Sequence, residues 1–104
     1  MKAEEKKVFL QAISEYGIQD QTQIACEECS ELIKALSKYH RVTKYQSYDK
    51  RKVLRCRNNI IEEMADVGIM LDQLKLMYGI TEKAVSDMRS TKVDRLRSVL
   101  KSEE

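Results

Sequence analysis

Two short acidic stretches decide how this chain is read: Glu27-Glu28-Cys29-Ser30-Glu31 and Glu62-Glu63-Met64-Ala65-Asp66. Each is a pair of glutamates followed three residues after its second member by another carboxylate. Each lies inside a long stretch with helical periodicity. The surrounding segments also match, since Ile-Ala-Cys-Glu-Glu-Cys-Ser-Glu-Leu (24–32) aligns with Asn-Ile-Ile-Glu-Glu-Met-Ala-Asp-Val (59–67). Two helices with similar acidic centres follow from that match.

Outward from these centres, the chain reads as four helices in one all-α, bundle-like domain over 1–104. There are no prolines, three glycines and 35% charged residues, a composition suited to helix and little else. The first helix is expected over 2–16, with Phe9, Ile13 and Tyr16 on one face and Gly17 as its stop. The second starts at Asp20 as N-cap and runs to Tyr39 on a stripe of Ile24, Leu32, Ala35, Leu36 and Tyr39. Residues 40–48 lack helical periodicity and read as loop. Asp49 caps a third helix that ends at Tyr78 before Gly79, on Val53, Cys56, Ile60, Val67, Met70, Leu71, Leu74, Met77 and Tyr78. Thr81 caps a fourth, to Lys101, whose stripe is Ala84, Val85, Met88, Leu96 and Val99; the tail 102–104 is expected to fray.

Composition also bounds function. The 19 basic residues nearly balance 17 acidic ones, and a net charge of +2 argues against a global nucleic-acid footprint. No run of about 18 apolar residues is present, so no membrane span is expected. The charged N-terminus lacks the apolar core of a secretory signal. Three cysteines, an odd number in helical pattern, suit a reducing cytoplasm.

The acidic residues stand where a helix should be apolar. An α-helix advances roughly 100° per residue, so Tyr39, Ala35, Ile24 and Leu32 fall within about 40° of Glu28. Glu31 lies about 60° away at the stripe's border, and Glu27 about 100° away on the polar flank. On the third helix Cys56, Val67, Met70 and Leu74 fall within about 40° of Glu63; Asp66 takes the border and Glu62 the flank. A buried, unpartnered carboxylate is costly enough to neutralise instead, and four facing one another repel. A hard divalent cation relieves both costs, because Mg²⁺ and Mn²⁺ prefer oxygen ligands. Glu28, Glu31, Glu63 and Asp66 are therefore read as a metal cage and as the catalytic set. A lone E-x-x-E is ordinary helix-surface charge; two of them, both centred on apolar stripes, are not. Glu27 and Glu62 could support the ligands from outside or be plain surface charge, and surface charge is the favoured reading. On the fourth helix Lys92, Arg95 and Val99 fall within about 40° of Met88, which places two cations on the apolar face as candidate phosphate ligands.

Glu27-Glu28-x-x-Glu31 followed by Glu63-x-x-Asp66 resembles the E-E-x-x-E … E-x-x-D signature of MazG-like nucleotide pyrophosphohydrolases, within the all-α NTP pyrophosphatase superfamily. Tyr16-Gly17 and Gln21 look like the family's lead-in, Glu31-Leu32-Ile33-Lys34-Ala35-Leu36 like its continuation, and Lys92-x-x-Arg95 like its basic helix. The resemblance covers about 8–100, with one departure: 31 residues separate Glu31 from Glu63, long for a compact member. It implies Mg²⁺-dependent hydrolysis of an NTP or dNTP between the α and β phosphates, with Glu28, Glu31, Glu63 and Asp66 on the metal and Lys92 and Arg95 on the phosphates. It also implies a homodimer or homotetramer. Gln21 and Asn59, on the inner faces near the acidic centres, are candidates to contact the nucleoside.

Three other readings are weighed against this one. A di-iron bundle needs Glu-x-x-His on two helices, and the only histidine, His40, lies outside both motifs. Cys26-x-x-Cys29 with Cys56 and His40 could form a zinc site, but the paired cysteines lie within a helix and read as buried small hydrophobes. A non-enzymatic nucleic-acid or protein interaction module would use the basic stretch 38–57, with Lys38, Arg41, Lys44, Lys50, Arg51, Lys52, Arg55 and Arg57, and Tyr45 and Tyr48 for stacking. That stretch is read as a solvated face, since a binding module has no need of carboxylates centred on its apolar stripes.

Overall fold

The computed structural model describes residues 1–103 as an all-α chain of four helices: α1 (Ala3–Tyr16), α2 (Ile18–Tyr45), α3 (Lys50–Tyr78) and α4 (Glu82–Ser102). Of the tail expected to fray, Ser102 ends α4 and Glu103 follows in a turn, while Glu104 lies outside the described residues. No helix is long and apolar enough to cross a membrane among the described residues.

The centre of the fold is the antiparallel pair of α2 and α3, and its buried positions recur every seven residues. On α2 the positions 21, 28, 35 and 42 hold buried Gln21, half-buried Glu28, buried Ala35 and buried Val42. On α3 the positions 56, 63, 70 and 77 hold buried Cys56, half-buried Glu63, buried Met70 and buried Met77. Between them run Ala25, Leu32 and Tyr39 on α2 and Val53, Ile60, Val67 and Leu74 on α3, all buried or half-buried. This alternation of threes and fours is the spacing by which two helices interlock side chains along a seam. Gln21 donates through Nε2 to Gln73 Oε1 at 2.7 Å, and the Thr22 and Tyr78 hydroxyls pair at 2.7 Å, which ties the two helices at one end. Phe9, the buried residue of α1, packs that helix against the pair.

Two boundaries differ from the sequence reading. α2 begins at Ile18 rather than at Asp20, because Gly17 (φ 89°) breaks the chain and allows the next helix to start at once. At its other end α2 continues through His40–Tyr45, expected as loop. Val42 occupies the next seam position and is buried, and Thr43 Oγ1 donates to the Tyr39 carbonyl at 2.9 Å. Asp49 and Thr81 cap as expected, accepting from the Lys52 and Ala84 amides at 3.1 and 3.0 Å.

α4 is the exception to compact packing. Every described residue on it is exposed, including Val85, Met88, Leu96 and Val99 of the expected stripe. Its entry is fixed by Gly79 in the left-handed region (φ 63°) and by Lys75, which pairs with Glu82 at 3.2 Å and Asp72 at 3.5 Å. The radius of gyration is 17.6 Å, against about 13 Å for a compact domain of this length. The accessible surface of 8311 Å² also exceeds the roughly 6000 Å² of a compact monomer of this mass.

The cap and the left-handed glycine make a direct test. Gly79→Ala is expected to destabilise the fold by about 1 kcal/mol, since an L side chain pays a penalty at this φ. Asp49→Ala should cost about 1 kcal/mol for the lost cap. Urea denaturation at one fixed protein concentration reads both.

Candidate metal centre

The α2–α3 seam brings Glu28, Glu63 and Asp66 together, each offering a carboxylate oxygen within 4.8 Å of the other two. They meet because antiparallel pairing sets the middle of one helix against the middle of the other. Their neighbours on the seam, Ala25, Ala35, Cys56 and Met70, are buried and hold the backbones in register. Glu28 and Glu63 thus stand in positions that an apolar residue fills elsewhere on the same stripe.

The electrostatics follow from that placement. Burial, first of all, pushes the Glu28 carboxyl above its ordinary value, and the charges of Asp66, Glu63 and Glu31 and a hydrogen bond with Asp66 push it further. Glu63 is raised by burial and then by the charges of Asp66, Glu31 and Glu62. One Glu63 oxygen, Oε2, is fully shielded from solvent and has no hydrogen-bond partner. A shielded carboxylate oxygen without a donor is an unmet demand for positive charge. Either a proton or a hard cation can meet such a demand. The donor set, three carboxylates and no nitrogen or sulfur, suits Mg²⁺ or Mn²⁺.

The remaining expected site residues are placed differently. Glu31 is exposed at the rim and pairs with Lys34 at 3.3 Å, yet its charge reaches both Glu28 and Glu63. Glu27 and Glu62 are exposed on the outer flanks. Lys92 and Arg95 are exposed on α4 and are not among the charges acting on Glu28 or Glu63, so a single chain does not bring them to the carboxylates. Lys92 instead lines an apolar groove with Ile80, Ala84, Val85, Met88 and Arg89. Gln21 is buried, and its bond to Gln73 makes it a polar tie across the seam. Asn59 is exposed and lines a cavity of about 200 Å³ with Lys38, Lys52, Arg55 and Cys56. Cys26 and Cys29, expected as buried hydrophobes, are exposed, because the wheel turns them away from the seam that Ala25 and Glu28 face; Cys56 is buried. His40 is exposed on α2.

Two features escaped the sequence reading. Gln73 was not singled out as a partner for Gln21, although it lies three residues after Met70 and four before Met77, on the seam's edge. The cationic cavity was read as a solvated face, because nothing local marks Lys38 and Arg55 as facing each other across two helices.

A larger cavity, of about 510 Å³, lies away from the carboxylates, between the end of α3 and the start of α4, lined by Leu71, Leu74, Ile80 and Val85 among others. Its apolar walls and its distance in the chain from Glu28 and Glu63 connect it to the exposed face of α4 rather than to ion chemistry.

No protein-family model matches the chain, and no curated protein or solved structure matches it either.

The raised carboxyls have a measurable consequence. A group whose folded pKa lies above its unfolded value favours the fold at low pH, and that contribution is lost as pH rises through the folded pKa. Glu28 and Glu63 therefore penalise the metal-free fold progressively as pH climbs above the ordinary carboxyl range. In chelator, Glu63→Gln is expected to raise the melting temperature at neutral pH and to flatten its fall as pH rises above the ordinary carboxyl range. An unchanged pH profile in this variant contradicts the assignment.

Proposed function

We propose that the chain is a Mg²⁺-dependent nucleotide pyrophosphohydrolase, cleaving a nucleoside or deoxynucleoside triphosphate between the α and β phosphates to a monophosphate and pyrophosphate. The observation that carries this reading is the seam itself: Glu28, Glu63 and Asp66 within 4.8 Å of one another, with Glu63 Oε2 buried and unpartnered. It is joined to the resemblance of E-E-x-x-E … E-x-x-D to the MazG-like signature. Glu28, Glu63 and Asp66 hold the ion, and Glu31 joins from the rim once released from Lys34. The bound ion supplies neutralisation of phosphate charge and a more acidic water. Burial and the neighbouring carboxylates raise the Glu28 and Glu63 carboxyls above their ordinary range, so a proton competes with the ion and affinity rises with pH.

Assembly belongs to the same proposal. The excess surface of roughly 2300 Å² over a compact monomer is of the size a permanent interface buries. A second copy seated on α4 covers Val85, Met88, Leu96 and Val99 and carries Lys92 and Arg95, which share that face, into the interface. The chain then works as a homodimer or homotetramer, with these two cations acting on phosphates across subunits.

Pyrophosphate release from a panel of nucleoside triphosphates tests the activity. Turnover with Mg²⁺ or Mn²⁺, abolished by chelator, is expected, together with a loss of about a hundredfold or more in Glu63→Gln at unchanged helicity. Turnover of no nucleotide, or full activity in chelator, contradicts it. Light scattering coupled to size exclusion tests the assembly: the wild-type chain should run as a dimer or tetramer and Met88→Asp with Leu96→Asp as a monomer. A wild-type monomer at micromolar concentration overturns it.

A further inference from the structure

We propose that the cavity between the second half of α2 and the first turns of α3 is an anion site that takes the terminal phosphates of the polyphosphate substrate, and so fixes the direction in which the nucleotide lies. The inference rests on the pyrophosphohydrolase reading for the identity of the substrate, and on separate residues for the site.

The cavity, of about 200 Å³, is lined by Lys38, Lys52, Arg55, Cys56 and Asn59. At ~30 Å³ per water molecule this is room for about six waters, enough for a phosphate group or two. Three of the five residues are cationic and none is acidic. Among the described residues, no ion pair involves Lys38, Lys52 or Arg55. Lys52 is held in place at both ends: its amide donates to Asp49 Oδ1 at 3.1 Å and its Nζ to Gln46 Oε1 at 2.7 Å. A phosphate suits this set, since Arg meets two oxygens at once and Lys supplies a compact charge.

Helical spacing ties the cavity to the carboxylates. Lys38 follows Glu31 by seven residues on α2, and Lys52, Asn59 and Asp66 recur every seven on α3. Residues seven apart share a face of a helix, so cations and carboxylates line one groove. At 1.5 Å per residue Lys38 lies about 15 Å along α2 from Glu28, and Arg55 and Lys52 lie about 12 and 16 Å along α3 from Glu63. Lys38 narrows that gap, because helix side chains lean toward the N-terminus, which for α2 is the direction of Glu31, whereas on α3 the same lean carries Lys52 and Arg55 away from Glu63, so Lys38 is the cation nearest the carboxylates. At the other end the groove is closed by the buried Gln21–Gln73 tie, which bears no charge. A chain of phosphates held at the carboxylates through a cation therefore extends its free end toward Lys38 at the mouth of the cavity, with the nucleoside toward Gln21. The site consequently selects triphosphates over diphosphates and monophosphates.

Isothermal titration of inorganic tripolyphosphate into the full chain in chelator tests the site without metal or turnover. Binding that weakens with salt is expected, with a loss of about tenfold or more in Lys38→Gln with Arg55→Gln, both exposed positions whose substitution spares the core. Glu63→Gln should bind tripolyphosphate at least as tightly as wild type while losing hydrolysis, which separates failure of the carboxylate site from failure of this one. No binding, or binding undiminished in the double variant, overturns the proposal. So does a single-stranded oligonucleotide that occupies the same residues more tightly than tripolyphosphate, which would assign the cavity to a nucleic-acid backbone.

Discussion

Two glutamates occupy positions where a helix pair needs apolar side chains, and the rest of the molecule is arranged around that fact. The seam of α2 and α3 repeats every seven residues, and Glu28 and Glu63 are each the second of four positions in their series. The other members, Gln21, Ala35, Val42, Cys56, Met70 and Met77, are buried and hold the two backbones together against the repulsion at the centre. Replacing both glutamates with hydrophobes would be expected to stabilise such a pair, as it does for buried charge generally. Retaining them is a cost in stability, which under the proposed function a bound cation would offset. The unpartnered Glu63 oxygen marks where that offset is needed.

The same seam explains why the molecule is open. Its buried set is small, α1 adds Phe9, and α4 adds nothing buried within one chain. A 21-residue helix with an apolar stripe and no partner is not a stable element in water; most helical stability comes from packing the apolar face. The apolar cavity at the α3–α4 corner and the exposed stripe of α4 form one continuous demand for cover, separate from the ionic groove between α2 and α3. The proposed ion chemistry and the proposed assembly would thus draw on different faces, and Lys92 and Arg95 are the residues that would join them.

Much of this was legible in the sequence, and the limits have physical causes. The caps at Asp49 and Thr81 and the stop at Gly79 are local signals and are where they were expected. The convergence of Glu28, Glu63 and Asp66 was legible because angle around a helix is fixed by residue number once two helices are known to face each other. The extension of α2 through His40–Tyr45 was missed because one apolar residue, Val42, carries it, and its partner lies on another helix. The wheel correctly separated Glu28 and Glu63 from the flanking Glu27 and Glu62 but misplaced Cys26 and Cys29, which lie just beyond the buried arc. The stripe of α4 was legible as a pattern, but what covers it is not encoded in any local spacing. Lys38, Lys52 and Arg55 were legible as charge, while their shared cavity depends on the register between helices.

The central claim is that the carboxylates at the middle of the α2–α3 seam hold a divalent cation. Anomalous diffraction from crystals grown with Mn²⁺ tests it most directly. The account predicts a manganese peak between Glu28, Glu63 and Asp66, lost in Glu63→Gln. Crystals at saturating Mn²⁺ with no peak among these three residues would contradict it.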